Sequence, residues 1–198
     1  MPIEQIKSTD TPTSSSSQPG GSPAQSPAAR IIGAWRTLAP LPGGKWLFSR
    51  LLGVMVPYTG SISPHVLELT PGHARVRMRD RRGVRNHLRS VHAVALVNLA
   101  EVSSGLAMLM GTPADVRSIV TGLSITYLKK ARGELTGECD CAIPQVGEET
   151  VTYVVEAVIR DESGAIVARA AVTWLLSRMR PGGALAAAST AAAPRQDA

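Results

Sequence analysis

Residues 86–110 read NHLRSVHAVALVNLAEVSSGLAMLM. From Val91 to Met110 the stretch is apolar almost all the way round, with valine, leucine, alanine and methionine on nearly every face. Such a segment predicts a long helix buried in a core or between subunits. Its few polar residues are informative for that reason. Asn98, Glu101, Ser104 and Gly105 stand at i, i+3, i+6 and i+7, a spacing that puts them on one stripe. Glutamate is seldom buried without a partner, and burial raises its pKa. Glu101 therefore has two readings. Either it pairs with a lysine or arginine at the surface, or it is a carboxylate held in a cleft for general-base or nucleophilic work. The basic loop ahead of the helix tips the balance to the second, because N–H groups at the positive end of a helix suit an oxyanion or a phosphate.

Outward from this helix the hydrophobic period changes from helical to alternating. In His73 to Arg79, Ala74, Val76 and Met78 alternate with outward arginines, which predicts a half-buried antiparallel strand. His65 to Leu69 is its partner, joined through Thr70-Pro71-Gly72. Four strand-like runs follow the helix: Ser118 to Leu128, Glu134 to Ala142, Thr150 to Arg160 and Ala165 to Leu176. The turns between them fall at Gly133, Gln145-Val146-Gly147 and Ser163-Gly164. Two strands, one helix and four strands predict an α+β architecture, with a five- to six-stranded antiparallel sheet around one long helix.

The chain has 198 residues, enough for one domain with a substantial core. Residues 1–29 are rich in serine, proline and threonine and are expected to be disordered, as is the Ala-rich tail 181–198. Between them, 30–60 forms a helical segment and 61–180 the main domain. In the helical segment Ile31, Ile32, Trp35 and Leu38 have helical spacing, and a second apolar stretch runs from Trp46 to Met55 before Pro57 and Gly60 end the region. It reads as a hairpin packed on the domain, as a lid, or as an interfacial helix resting on a membrane through Lys45 and Arg50. No segment is expected to reach the roughly 18–20 apolar residues that span a bilayer. The polar N-terminus lacks a signal-peptide core, so a cytoplasmic location is expected. Cys139 and Cys141 read as two reduced thiols.

The spacing around the helix resembles that of the hotdog-fold thioesterases of the phenylacetate and 4-hydroxybenzoyl-CoA type. That family carries an asparagine in the loop, a histidine and two glycines at the helix start, and an acidic residue nine positions after the histidine. Here Asn86 is followed by His92 six positions on and Glu101 nine further, over a domain reaching from about His65 to Leu176. Ser124-Ile125-Thr126-Tyr127-Leu128, with Ala131 and Gly133, is similar to the family's first strand after the helix. Leu41-Pro-Gly-Gly-Lys-Trp-Leu-Phe48 and Pro57-Tyr-Thr-Gly-Ser61 look like an uncharacterised bacterial branch of the superfamily.

The resemblance implies an acyl-CoA thioesterase that needs no cofactor, acting as a homodimer or homotetramer with its site between subunits. Glu101 would activate water or attack the thioester carbonyl, and the N–H of Ala93 would polarise its oxygen. Asn86 and His92 would orient the carbonyl or the loop, and Thr121 would hold water or substrate. Ala93-Val94 stands where the family has Gly-Gly. The alternative is a non-catalytic acyl or acyl-CoA binding protein of the same fold.

The formal charge of +6 suits an acidic partner. Arg85, Lys129, Lys130 and Arg132 are candidates for the phosphates of coenzyme A, against the plainer reading of a solvated basic face. Aromatic interleaving is absent, which argues against nucleic acid. The four histidines lack metal-ligand spacing and no acidic cluster joins them in sequence, so no metal site is expected.

Overall fold

A computed structural model describes residues 27–179. The chain runs α1 (Pro27–Leu38), α2 (Gly44–Met55), α3 (Pro57–Gly60), β1 (His65–Thr70), β2 (His73–Met78), α4 (Ala93–Gly111), β3 (Val116–Tyr127), β4 (Leu135–Asp140), β5 (Val151–Asp161) and β6 (Ile166–Arg178). The strands form one antiparallel sheet in the order β1-β2-β4-β5-β6-β3. The six strands and the long helix are those expected from the pattern. The place of β3 is not: it crosses to the far side of β6 and leaves its own outer edge unpaired among the described residues.

Alternation decides which face each strand turns to the helix. Ala74, Val76 and Met78 are fully buried under α4, and so are Leu135, Ala157 and Ile159 from the neighbouring strands. On the other face of β2, Arg75 pairs with Glu68 at 2.9 Å. The close approach of helix and sheet is set at Gly137. A Cβ there would fall 2.6 Å from Ser103 Oγ and 2.8 Å from Leu99 Cγ, so β4 meets α4 with backbone rather than side chain. Gly72 turns β1 into β2 with φ of 76°, a conformation open to glycine.

The N-terminal helices share this core. Trp35 of α1 donates from Nε1 to the Leu69 carbonyl at 3.0 Å and meets Phe48 of α2 edge-on at 5.0 Å between ring centroids. Ser49 Oγ accepts from the Val66 N–H at 2.9 Å, fastening α2 to β1. Burial of Phe48 alone is worth about 3–5 kcal/mol against alanine. Helix α1 opens at Pro27, so residues 27–29 of the expected tail are helical; the rest of that tail, and 181–198, lie outside the described residues. Pro57 does not simply end the region: at the first position of α3 its missing N–H costs nothing, and it starts one more helical turn.

Helix α4 corrects one expectation. Its 19 residues are long and apolar enough to cross a membrane by length and composition, but here the sheet wraps it. Cys139 and Cys141 are free thiols, and the Cys141 thiol donates to Met108 Sδ at 3.7 Å.

Candidate functional site

The loop entering α4 is pinned at several points. A 3-10 turn at Arg82–Val84 precedes it, and the Val84 carbonyl accepts from the His92 N–H at 2.7 Å. Arg85 bridges Val91, and the Val91 N–H reaches the Ala131 carbonyl at 2.9 Å. Inside the loop, Asn86 Oδ1 accepts from the Leu88 N–H at 2.9 Å and from the Ser90 N–H and hydroxyl, each at 3.2 Å. Asn86 thus shapes the loop with the oxygen expected for the carbonyl or the loop. Arg89 sits at φ of 54°, a left-handed conformation costly for a residue with Cβ.

His92 is the N-cap of α4. Its Nδ1 accepts from the Val94 N–H at 3.1 Å, which requires the neutral tautomer with the proton on Nε2. The Ala93 N–H has no acceptor among the described residues, so a donor is left free at the positive end of the helix. Tyr127, at the end of β3, donates to the Ala93 carbonyl at 3.4 Å. Burial raises the pKa of its phenol. A recess of about 200 Å³ opens beside the cap between α3 and α4, with Tyr58, Ser61, Arg85, His92, Val94 and Asn98 in its wall.

The polar stripe of α4 divides. Asn98 is buried and donates to the Tyr58 carbonyl at 3.0 Å, while Ser104 is buried with its hydroxyl on the Glu101 carbonyl at 3.0 Å. Glu101 alone faces outward, and its carboxylate has no hydrogen bond or ion pair among the described residues. It stands on the open side of the helix with Val94 and Val97, at intervals of three and four residues, while Gly105 one turn on lies against the Trp174 ring of β6. Within one chain, then, Glu101 is neither held in a cleft nor paired with a lysine or arginine among the described residues. An apolar face on α4 surrounds an unpaired carboxylate.

The basic candidates also separate. Arg85 and Arg132 meet at a hollow of about 730 Å³ together with Arg79 and Arg89, and Glu134 and Glu162 share its wall. Asp80 organises its wall: Oδ1 accepts from Arg85 Nε at 2.6 Å and Oδ2 from the Gly133 N–H at 3.1 Å. The Arg85 hydrogen bond, followed by the Gly133 bond and the nearby Arg132 charge, outweighs partial burial and lowers the Asp80 pKa. Lys129 is elsewhere, bound to Asp161 at 2.5 Å, and this bond with the Ser163 and Ala165 contacts takes the Asp161 carboxyl down to about 2. Lys130 is exposed and makes no such bond among the described residues. Thr121 sits on the β3 edge, at a register break, with its hydroxyl 3.4 Å from the Thr173 carbonyl. Six residues of strand, roughly 20 Å, separate it from Tyr127 at the α4 end.

Arg79, Tyr58 and Tyr127 are additions that sequence reading missed. Arg79 reads only as the last outward residue of β2, and nothing local says that β2 ends beside residues 132–133. His73 stands in an acidic cluster. Its Nδ1 lies 2.7 Å from Asp140 and its Nε2 3.3 Å from Glu68, and its ligand atoms, with those of Glu138 and Asp140, all lie within 4.8 Å of one another. The cluster is assembled across strands by register, so spacing along the chain could not reveal it. Glu68 and Glu138 also face Arg75 and Arg160, giving these acids charge partners in the sheet surface.

A family model described as a domain of unknown function, DUF4442, matches residues 44–176. The solved structure of a genomics target, APC5556, is 32% identical, covers 76% of this chain and 99% of its own, and superposes with a TM-score of 0.67. A Pseudomonas aeruginosa protein, PA5026, described as a probable thioesterase, is 27% identical with coverage of 70% and 97% and a TM-score of 0.61. A thioesterase family protein from Silicibacter pomeroyi shares the fold at 14% identity, covering 66% of this chain and 96% of its own with a TM-score of 0.56. No curated protein matches the chain. With the sheet wrapped about α4 and a family model spanning most of the described residues, this chain belongs to the DUF4442 family, a branch of the hotdog-fold thioesterase superfamily.

Proposed function

We propose that the chain hydrolyses acyl-CoA thioesters, with Glu101 activating water or attacking the carbonyl. The observation that carries this reading is the open face of α4, where an unpartnered carboxylate stands beside Val94 and Val97. A carboxylate on an apolar surface becomes useful once that surface is covered, because exclusion of water strengthens its interaction with a reacting group. The free Ala93 N–H supplies the complementary donor for the oxyanion. With Glu101 as base, the water oxygen bonds to the carbonyl carbon as the C–S bond breaks, and the proton taken from water passes to the leaving thiolate. With Glu101 as nucleophile, the C–S bond breaks as an anhydride forms, and water then cleaves that anhydride to free the acid and restore the carboxylate. His92 holds the cap and Asn86 holds the loop that present that donor. The description of PA5026 as a probable thioesterase supports the same chemistry.

Ala93 and Glu101 lie eight residues apart on one helix, roughly 12 Å along its axis. A single thioester carbonyl cannot touch both in one chain. A second copy resolves this. The unpaired edge of β3 is twelve residues long, and two such edges paired antiparallel about a two-fold axis would lay each α4 beside the other. The Glu101 of one subunit would then serve the Ala93 end of its partner. In this reading the protein is a homodimer or a dimer of dimers, and Thr121, in the paired edge, lies in the interface. The hollow with Arg85, Arg89 and Arg132 accepts the phosphates of coenzyme A, and the recess beside Tyr58 accepts the acyl end.

The test is thiol release from acyl-CoAs of several chain lengths, with calorimetric binding measured in parallel. Release above the spontaneous rate supports the proposal. Binding without release makes this a non-catalytic acyl-CoA binding protein, and neither would overturn both readings.

A further inference from the structure

The region the thioesterase reading leaves unused is the outer face of α2. At 100° per residue its buried side carries Phe48, Ser49 and Leu52, and the opposite side carries Trp46, Leu47, Arg50, Leu51 and Val54. Apart from Arg50, every side chain on that outward arc is large and apolar. Trp46 is 61% exposed and Val54 77%. A surface helix normally reverses this pattern, with polar residues outward. Just beyond the helix, Tyr58 is 65% exposed.

Beside this face lies a hollow of about 520 Å³ between α2 and the β1–β2 strands. Arg50, His65, Arg77 and Arg79 line it, and no carboxylate does. Arg50 and Arg79 have no ion-pair partner among the described residues, while Arg77 pairs through Nη1 with Glu134 at 3.4 Å and keeps its Nε buried without a hydrogen-bond acceptor. Burial first, then the positive field of Arg77, Arg79 and Lys45, lowers the His65 pKa. The segment around α1 and α2 shares this sign: residues 27–67 hold Arg30, Arg36, Lys45 and Arg50 and no Asp or Glu.

We propose that the outward face of α2 docks on an anionic phospholipid surface, with Trp46, Leu47, Leu51 and Val54 entering the interface and a lipid phosphate seated in the hollow beside Arg50. Two observations choose this occupant. A second copy on the same patch would bring the unpaired Arg50 and Arg79 against their own counterparts, which costs free energy rather than gaining it. The face is a protruding helix with a cationic flank, and such a helix suits the boundary between headgroups and acyl chains, where tryptophan is favoured and arginine reaches back to phosphate. Docking here leaves the open face of α4 and the edge of β3 free, and of the cations in the coenzyme A hollow only Arg79 is shared.

The experiment uses the full chain with vesicles of phosphatidylcholine alone or mixed with phosphatidylglycerol, read by co-sedimentation and by tryptophan emission. Trp35 and Trp174 are buried, so a difference spectrum against W46F isolates Trp46. The expected result is binding to the anionic vesicles only, weakened by salt, with Trp46 shifted to the blue and protected from iodide. V54D should lower partitioning about ten-fold or more by putting a charge in the interface, and R50E by a similar factor through lost attraction and added repulsion. Val54 and Arg50 lie on the surface, and an unchanged thermal transition verifies that both variants fold. Equal binding to neutral vesicles, no binding to either, or wild-type binding by V54D would overturn the proposal. So would a Trp46 already shielded from iodide without lipid, which means that protein covers the face. Hydrolysis of a short, water-soluble acyl-CoA by V54D at the wild-type rate separates this outcome from any failure of the thioesterase reading.

Discussion

Replacement of Gly137 by alanine tests the seat of α4 on the sheet. The added Cβ would lie 2.6 Å from Ser103 Oγ, 2.8 Å from Leu99 Cγ and 3.2 Å from Leu99 Cδ1. Both neighbours are fully buried, and Ser103 is tied by its hydroxyl to the Leu99 carbonyl at 2.7 Å, so neither can withdraw freely. Overpacking of this kind costs about 1–3 kcal/mol. Loss of glycine's freedom in the unfolded chain returns about 0.4–1 kcal/mol. The net expectation is a loss of about 1–2 kcal/mol, or a melting temperature lower by about 2–8 °C for a chain of this size. Gly33 provides the control, because it lies inside α1 with nothing within 4 Å of a built Cβ. The same change there should stabilise by up to ~1 kcal/mol through helix propensity. Urea unfolding followed by circular dichroism reads both variants. A Gly137→Ala protein as stable as the wild type would mean that α4 does not rest on β4 at this point, and the position of Glu101 would have to be redrawn.

Arg132→Ala should raise KM for acyl-CoA about ten-fold while leaving hydrolysis of the matching acyl-pantetheine, which lacks the nucleotide phosphates, unchanged; steady-state kinetics on the two substrates decides it, and Lys130→Ala should alter neither. His92→Ala removes the cap acceptor for Val94 and should cost about 0.5–2 kcal/mol in urea unfolding, with His92→Asn retaining most of it. The pKa of His73 is raised from 6.5, chiefly by the hydrogen bond to Asp140 and then by the charges of Asp140 and Glu68 acting against partial burial. A raised pKa in the folded state means that protonation favours folding. This contribution is full below about pH 6.5 and fades as pH rises through the folded value. Melting temperatures of wild type and His73→Gln between about pH 5 and 8 should therefore converge toward the alkaline end.

Much of this architecture is local in origin and was legible. The alternation of Ala74, Val76 and Met78 with arginines records a sheet with one face on a helix, and the unbroken apolar run of α4 records a helix enclosed by that sheet. What stayed hidden depends on contacts between distant segments. The crossing of β3 beyond β6 leaves no periodic trace. Neither does the meeting of Arg79 and Arg89 with Arg132, nor the assembly of Glu68, Asp140 and Glu138 around His73. Lys129 and Lys130 adjoin Arg132 in sequence, yet the strand directions send Lys129 to Asp161 instead. Pattern reading also could not say what covers α4. A helix apolar all round looks the same whether its own sheet or a second copy encloses the last face. Glu101 shows the consequence, since it is the residue singled out from the sequence and yet stands in the open within one chain.

That residue is also where the functional proposal is most directly tested. Thiol release by Glu101→Gln should be measured beside the wild type on one good acyl-CoA substrate, with substrate binding followed by calorimetry. Glutamine keeps the size and loses the base or nucleophile, so kcat should fall by about a hundred-fold or more while acyl-CoA still binds. A Glu101→Gln enzyme with the wild-type kcat would contradict the assignment of the reaction to the open face of α4.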